Sequence, residues 1–455
     1  MPFKPVLLPT DVLLWLLLVA ALGYARYCAR RPHLALPWAR VFHAPAAVVA
    51  SVLLGGYLIV GLADSLHFRL RLAPTAGETQ VVYAPQVLSV LDLALGRLRA
   101  STERSYSAPL ATRAFARELV EQPDGTQRRV FPRLHYGGAH LSDESHWAAD
   151  VAGRTMLGLA GGAALSLLVA WAMRPLRRRL PVVPWRAAQI TLTLLLLLIG
   201  ALAVLASGYH VLGTDKVGQD VLLLSLKSVR TSLVIGTLTT LVMLPFGIVF
   251  GVVAGYFRGW VDDVIQYVYT TLSSIPGVLL IAAAVLMMQV YIDSHPELFP
   301  TAAQRADLRL LFLCVILGVT SWTGLTRLLR GESLKLATLE YVQAAQAFGV
   351  SHGRILSRHL VPNLMHIVVI SIAIDFSTLV LTEAVLSYIG VGVDPATVSF
   401  GTMINGARLE MSREPIVWWS LSAAFVFMFN LVLSANLLAD AVRDGFDPRV
   451  RVGAA

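Results

Sequence analysis

The sequence predicts an all-α polytopic membrane protein, and three observations carry that reading. Of 455 residues, 56% are hydrophobic and only 14% charged, whereas soluble domains carry about a quarter charged residues. Apolar runs recur at lengths close to a bilayer crossing, for which a helix needs roughly 20 residues. Short Arg-rich or Gly/Pro-rich stretches separate those runs. Within lipid the backbone must satisfy its own hydrogen bonds, so the runs are helices.

Nine spans follow in order, near 11–28, 43–62, 153–173, 187–209, 231–256, 264–291, 308–328, 364–389 and 416–440. The apolar core of the first, Val12 to Leu22, is as short as that of a signal peptide. Only Lys4 precedes it, while Arg26, Arg30, Arg31 and Arg40 follow it. Those charges hold the next loop in the cytoplasm, so the segment reads as an uncleaved span with an outside N-terminus. The same rule places 174–186, with Arg174, Arg177, Arg178, Arg179 and Arg186, on the inside. Loops 257–263 and 329–362 and the tail 441–455 join it there. The polar stretch 63–152 is then outside, long enough for a small subdomain. Tyr106-Ser107-Ala108-Pro109 and Tyr136-Gly137-Gly138 read as turns within it, and Tyr83, Val87 and Leu91 as one face of a short helix.

Gly158 and Gly162 form a small-xxx-small pair, and Gly247, Gly251 and Gly255 a double one. Such faces let helix backbones approach closely where no hydrophobic effect separates helix from lipid. Plain packing within the chain is the first expectation, and a subunit interface the second. Cys28 and Cys314 sit in or beside apolar runs without metal-ligand spacing, so neither a disulfide framework nor a metal site is expected. The net charge of +9 falls in loops between spans, with no basic stripe interleaved with aromatics. Nucleic acid is therefore not an expected partner; membrane lipid is.

Signatures of catalysis are missing. There is no G-x-x-x-x-G-K-[ST] phosphate loop, no H-E-x-x-H and no paired Cys motif. The informative inner loop runs Glu340 to Asn363, EYVQAAQAFGVSHGRILSRHLVPN. Tyr341, Ala345 and Phe348 fall at helical spacing, and Leu334 and Thr338 extend the stripe to about four turns. Gly349 is placed to end that helix, and Ser351 to cap a second short one bearing Ile355 and Leu356. Pro362 closes it and starts the next span. The expected product is a helical hairpin whose apolar face lies on headgroups or enters a groove on a soluble partner.

This loop resembles the EAA loop of ABC importer membrane subunits through Gln343, Ala344, Ala345, Gly349, Ile355 and Val361-Pro362, with Gln343 in place of Glu and Val361 in place of Leu. Three further stretches resemble the dipeptide/oligopeptide-type importer permeases. They are Gly213-Thr214-Asp215-Lys216-Val217-Gly218-Gln219-Asp220-Val221, Glu383-Ala384-Val385-Leu386-Ser387-Tyr388-Ile389-Gly390-Val391-Gly392, and Asp440-Ala441-Val442-Arg443-Asp444 through Asp447-Pro448-Arg449. The span end Ala254-Gly255-Tyr256-Phe257-Arg258-Gly259-Trp260-Val261-Asp262 is similar as well. The resemblance implies a six-span permease core over 187–455 with its EAA loop at 340–362. Before it stand two spans in 1–62, a periplasmic region at 63–152, and a third extra span with its loop at 153–186.

What the resemblance implies is an inner-membrane subunit, N-terminus periplasmic and C-terminus cytoplasmic, that imports peptides or peptide-like solutes by alternating access. Its implied partners are a homologous permease in a heterodimer, two ATPase subunits or domains and a periplasmic binding protein. ATP is used by the partners, and this chain holds no cofactor. Tyr341, Gln343, Ala344, Ala345, Phe348, Gly349, Ile355 and Pro362 would couple to the ATPase. Asp375, near mid-span, either lines the path and meets a peptide amine or bonds a neighbouring helix, since an acid at the bilayer centre needs protein or water. Glu383 reads as a structural or gate-region acid, and Pro276 as a kink. The reading from another class is a proton-coupled transporter with Asp375 and Glu383 as its relay; a membrane scaffold is a third.

Overall fold

The computed structural model describes residues 3–72, 82–121, 127–181, 183–295, 297 and 301–446. Among them, nine helices are long and apolar enough to cross a membrane. These are α1 (Pro9–Ala29), α3 (Pro45–Asp64), α6 (Trp147–Ala172, with a preceding turn), α8 (Trp185–Leu205), α9 (Val221–Phe257), α11 (Gly277–Ser294), α12 (Ala302–Leu336), α15 (Val361–Ile389, entered from His352) and α17 (Trp419–Phe446). Shorter helices stand between them: α2 (Pro32–Val41), α4 (Val90–Ala94), α5 (Gly96–Ala100), α7 (Arg174–Arg179), α10 (Gly259–Ser274), α13 (Glu340–Ala347), α14 (His352–Ile355) and α16 (Phe400–Arg408).

The expected spans reappear with one correction. The run read as a single span at 264–291 is two helices, α10 and α11, parted at Ile275 and Pro276. Proline has no N–H to donate and forces its predecessor out of helical conformation. Ile275 accordingly takes φ −83°, ψ 131°. Pro276 therefore interrupts the helix where a kink was expected. The span expected at 231–256 starts ten residues earlier, at Val221, because Asp220 caps it. The one expected at 308–328 starts at Ala302, where the Thr301 side chain accepts from the Gln304 amide.

The chain forms two compact units. The first comprises residues up to 7, 42–231 and 398–434. Here Gly158 and Gly162 of α6 lie against the backbone of α8: a Cβ on Gly158 would sit 2.5 Å from the Gly200 oxygen, and one on Gly162 2.5 Å from the Leu196 oxygen. This pair is intramolecular packing. Strands β1 (Phe3–Val6), β2 (His67–Leu70) and β3 (Leu88–Ser89) form an antiparallel sheet in the order β1-β2-β3. A separate hairpin pairs β4 (Glu118–Glu121) with β5 (Gln127–Val130). The turns read at 106–109 and 136–138 are irregular as expected. The helix read through Tyr83 and Val87 is not there; Tyr83 bridges to Arg71 and only Leu91 is helical, in α4. The Ser89–Asp92 capping box starts that helix too late to include the other two.

The second unit comprises residues 8–41, 232–397 and the chain from 435. Gly247, Gly251 and Gly255 of α9 accept Leu325, Leu329 and Ser333 of α12. The double small-residue face thus also serves packing within the chain. Around it lies a buried cluster that includes Tyr256, Tyr269, Trp322, Val342, Ile355, Leu360 and Leu364. Helices of the N-terminal extension belong to this unit. The Thr10 amide at the start of α1 donates to Asp307 of α12 at 3.1 Å, and its hydroxyl also bonds that carboxylate. Trp38 of α2 packs edge-on against Phe446 of α17 at 5.3 Å. The expected motif ending at 447–449 lies outside the described residues, while its start, 440–444, is the last part of α17.

Candidate functional site

The hairpin at 340–360 is built from a broken helix and a glycine. Helix α13 ends at Ala347, Phe348 is its C-cap, and Gly349 follows at φ +72°. The Gly349 amide donates to the Gln346 carbonyl and the Val350 amide to the Ala345 carbonyl, both at 3.0 Å. These two bonds close the last turn through a left-handed residue, as the sequence predicted. Nothing lies within 4 Å of a Cβ added at Gly349, so the glycine is required there by backbone conformation alone. Ser351 stands at the cap of α14 in extended conformation, but its hydroxyl makes no capping bond.

Three details differ from expectation. Helix α13 has two turns where four were read, because Leu334 belongs to α12 and Thr338 to the intervening turn, and Leu339 is extended. The buried face is Val342 with half-buried Ala345, while Tyr341 is exposed and Phe348 is 88% exposed. Val342 was missed, although it lies three residues before Ala345 on one helix face. Pro362 closes nothing: α14 continues through a wide turn, Leu356–Leu360, into α15. The widened turn just before it accommodates the missing N–H of Pro362.

The hairpin is anchored on both arms. Val342 and Ile355 are fully buried in the second unit's core. Tyr256, near the end of α9, bonds His352 Nδ1 at 2.8 Å and accepts from Gln346 Nε2 at 3.2 Å, so one phenol ties α13 and α14 to the span. Asn363 Nδ2 donates to the Tyr341 hydroxyl at 3.1 Å. Nearby, Arg330 grips Asp262 with two 2.6 Å bonds, and Gln266 adds a third donor to that carboxylate. The Arg330 guanidinium beside Asp262 holds its carboxyl below the usual range. What stays outward is the tip: Phe348, Gly349 and the exposed Gln343 and Ala344.

Asp375 and Glu383, two turns apart on α15, have different surroundings. Glu383 is fully buried and accepts from Ser387 Oγ at 2.7 Å. Ser387 Oγ in turn accepts from the Val393 amide at 3.2 Å, and Gly392 leaves room for that approach. Gly390 ends α15 at φ +90°. The 383–392 stretch is therefore a helix end stitched to its own exit loop. Asp375 is half-buried and has no hydrogen-bond or ion-pair partner among the described residues. Pro276 is exposed at the α10–α11 break.

The 213–221 loop is equally specific, and its partners come from the N-terminal region and from Trp419 of α17. Gly213 and Gly218 adopt φ +72° and +77°. Asp215 Oδ1 accepts from the Val217 and Gln219 amides at 2.9 and 2.8 Å, an Asx turn. Asp220 Oδ1 accepts from Leu222 N at 2.8 Å and caps α9. Thr214 Oγ1 donates to the Ser105 carbonyl and accepts from the Ser107 amide, while Trp419 Nε1 donates to the Thr214 carbonyl.

Beneath the loop, His210 is 2% exposed, with Nδ1 2.8 Å from Asp220 and Nε2 3.4 Å from Glu103. Glu103 also accepts the amides of His135, Tyr136 and Gly137. Burial opposes the Glu103 charge, but the His210 and backbone donors outweigh it and hold the carboxyl at about 2. Burial likewise opposes the His210 cation, and the two carboxylates outweigh it, pushing the imidazole up to about 9. No signal in the sequence pairs Glu103 with His210, which are separated by three helices.

Residues 247–452 match the family described as "Binding-protein-dependent transport system inner membrane component". The oligopeptide transport system permease protein OppC of Mycobacterium tuberculosis is 31% identical over 242 residues, 53% of this chain and 77% of the relative. The glutathione transport system permease protein GsiD of Pectobacterium atrosepticum is 32% identical over 245 residues, 54% and 74%. The dipeptide transport system permease protein DppC of Bacillus subtilis is 28% identical over 246 residues, 54% and 70%. With the motifs, the apolar helices and these relatives in agreement, the chain belongs to the inner-membrane components of binding-protein-dependent transport systems.

Proposed function

We propose that this chain is one of two membrane subunits of an ATP-driven importer of peptides or peptide-like solutes, and that the α13–α14 hairpin is its contact with a cytoplasmic ATPase. The observation that carries the coupling role is the contrast between the arms and the tip. Val342, Ile355 and Tyr256 fix the hairpin to spans, while Phe348 projects with 88% of its surface exposed. A large apolar side chain held outward on a fixed turn suits a groove on a partner, where it would pass domain closure to the helices behind it. Peptide cargo is the reading that the names of the relatives support. An extracytoplasmic binding protein delivers the cargo, and ATP is bound and hydrolysed by partner subunits. The N-terminus is extracytoplasmic, a reading supported by β1 pairing with β2 at the edge of the 63–152 region; the C-terminus is cytoplasmic.

The test is co-purification in mild detergent of the tagged chain, wild type against Phe348→Glu. The expected result is a second permease and an ATPase with the wild type, and loss of the ATPase alone with the variant. Retention of the ATPase by Phe348→Glu would remove the hairpin tip from the contact. Absence of an ATPase from the wild type, under conditions that hold a known importer together, would sink the importer reading.

A further inference from the structure

One face of α15 presents polar groups that the described residues leave uncovered. Thr378 is exposed, as are its neighbours Leu381 and Val385, Thr382 is half-buried, and Asp375 borders them half-buried and without a partner among the described residues. At about 100° per residue, Asp375, Thr378 and Thr382 fall within roughly 60° of one another around the helix. The other side of α15 is committed to the fold: Leu379, Val380 and Glu383 are buried, and the Phe376 ring seats against Gly236 of α9.

A half-buried acid without a partner at the middle of a span does not face lipid, where an ionisable group is costly. It meets a water-filled path or another molecule. The threonines say which chemistry is presented. Thr382 Oγ1 donates to the Thr378 carbonyl at 2.8 Å, and Thr378 Oγ1 leans to the Ile374 carbonyl at 3.4 Å. Both hydroxyl hydrogens are thus turned to the helix's own backbone, and the face offers acceptors only: one carboxylate and two hydroxyl oxygens. A primary ammonium is the complementary group, with three donors, a positive charge and no acceptor.

We propose that Asp375, Thr378 and Thr382 form a subsite for an ammonium group of the cargo as it crosses the membrane, an inference that rests on the peptide-importer reading. An α-amino group, with an ordinary pKa near 8, is mostly protonated at neutral pH and meets that requirement in any unblocked peptide. A lysine side chain meets it more strongly.

The experiment is ATP-driven uptake by the complete importer in proteoliposomes, comparing a lysine-bearing with a glutamate-bearing tripeptide. Asp375→Asn is expected to lower the ratio of lysine-peptide to glutamate-peptide uptake about tenfold, the scale of one charge-assisted hydrogen bond. Asp375→Glu restores the ratio, and Thr378→Val with Thr382→Val lowers it about threefold. An unchanged ratio in Asp375→Asn overturns the subsite, whether or not total uptake falls, and leaves Asp375 a structural group. Loss of the second permease from purified Asp375→Asn complexes overturns it differently, by making the face a subunit contact. If wild-type proteoliposomes import neither peptide, the peptide reading itself fails and the subsite goes with it.

Discussion

At the scale of single residues, the Glu103–His210–Asp220 cluster concentrates charge where there is almost no water. A buried cation between two carboxylates is a case where removing one partner costs far more than forming the set gains. His210→Ala leaves two facing carboxylates, and the expected loss is about 3 kcal/mol or more. The pH dependence follows from direction. His210 is raised from 6.5 to about 9 in the fold, so its contribution is fully present below 6.5 and is lost as pH rises through about 9. Glu103 is lowered from 4.5 to about 2, so its contribution is present above 4.5 and is lost as pH falls through about 2. Melting temperature measured between pH 6 and 10 should decline in the wild type and stay flatter in His210→Gln. A wild-type profile no steeper than the variant's would show that the imidazole is not charged. Two of the left-handed glycines separate as well. Gly349→Ala meets only the backbone penalty, about 1–2 kcal/mol, while Gly218→Ala also drives its Cβ into the Glu103 backbone and should not fold.

At the scale of elements, the hairpin separates what periodicity can read from what it cannot. Gly349 marks its turn by a local rule about left-handed residues, and that rule held. Which residues of α13 face inward depends on Tyr256, α10 and α12, which are distant in sequence; hence Val342 rather than Phe348 is buried. Pro276 was visible as a perturbation, but the size of its effect was not: it drives Ile275 out of helical conformation, and the expected bend is a break. Val342→Ala should therefore destabilise the hairpin by about 2 kcal/mol through a cavity. Phe348→Ala should leave stability within about 0.5 kcal/mol, as an exposed site does, yet lower ATPase affinity. Limited proteolysis at 340–360 reads the first effect and ATPase titration the second. Equal proteolytic sensitivity in the two variants would reverse the assignment of buried and presented sides.

At the scale of the whole molecule, the six-span core was legible because its motifs are local, whereas its union with the extension was not. Lys227 of α9 bonds Asp92 at 2.7 and 2.9 Å and lies 3.6 Å from Asp64, both from the region before residue 153. Thr214, His210 and Asp307 take partners from that region too. Each of these contacts joins residues far apart in sequence, and only the folded chain reveals them. Both compact units are built from extension and core segments together. A chain shortened to 187–455 would leave Lys227 without its carboxylates and buried His210 without Glu103, a costly loss of paired charge. It should be degraded or elute as aggregate on size-exclusion chromatography, and co-expression of 1–186 should recover monodisperse protein. A well-behaved short chain would show that the extension is an accessory.

Strand β1 has a consequence for how the molecule is made. Its partner β2 follows α1, α2 and α3 in the chain, so Phe3–Val6 has nothing to pair with until both flanking spans exist. If α1 inserted in the wrong orientation, the two strands would lie on opposite sides of the bilayer and could not meet. Closure of this small sheet therefore requires that β1 and β2 emerge on the same side of the bilayer, and a bulky tag fused ahead of Phe3 is expected to hinder the pairing.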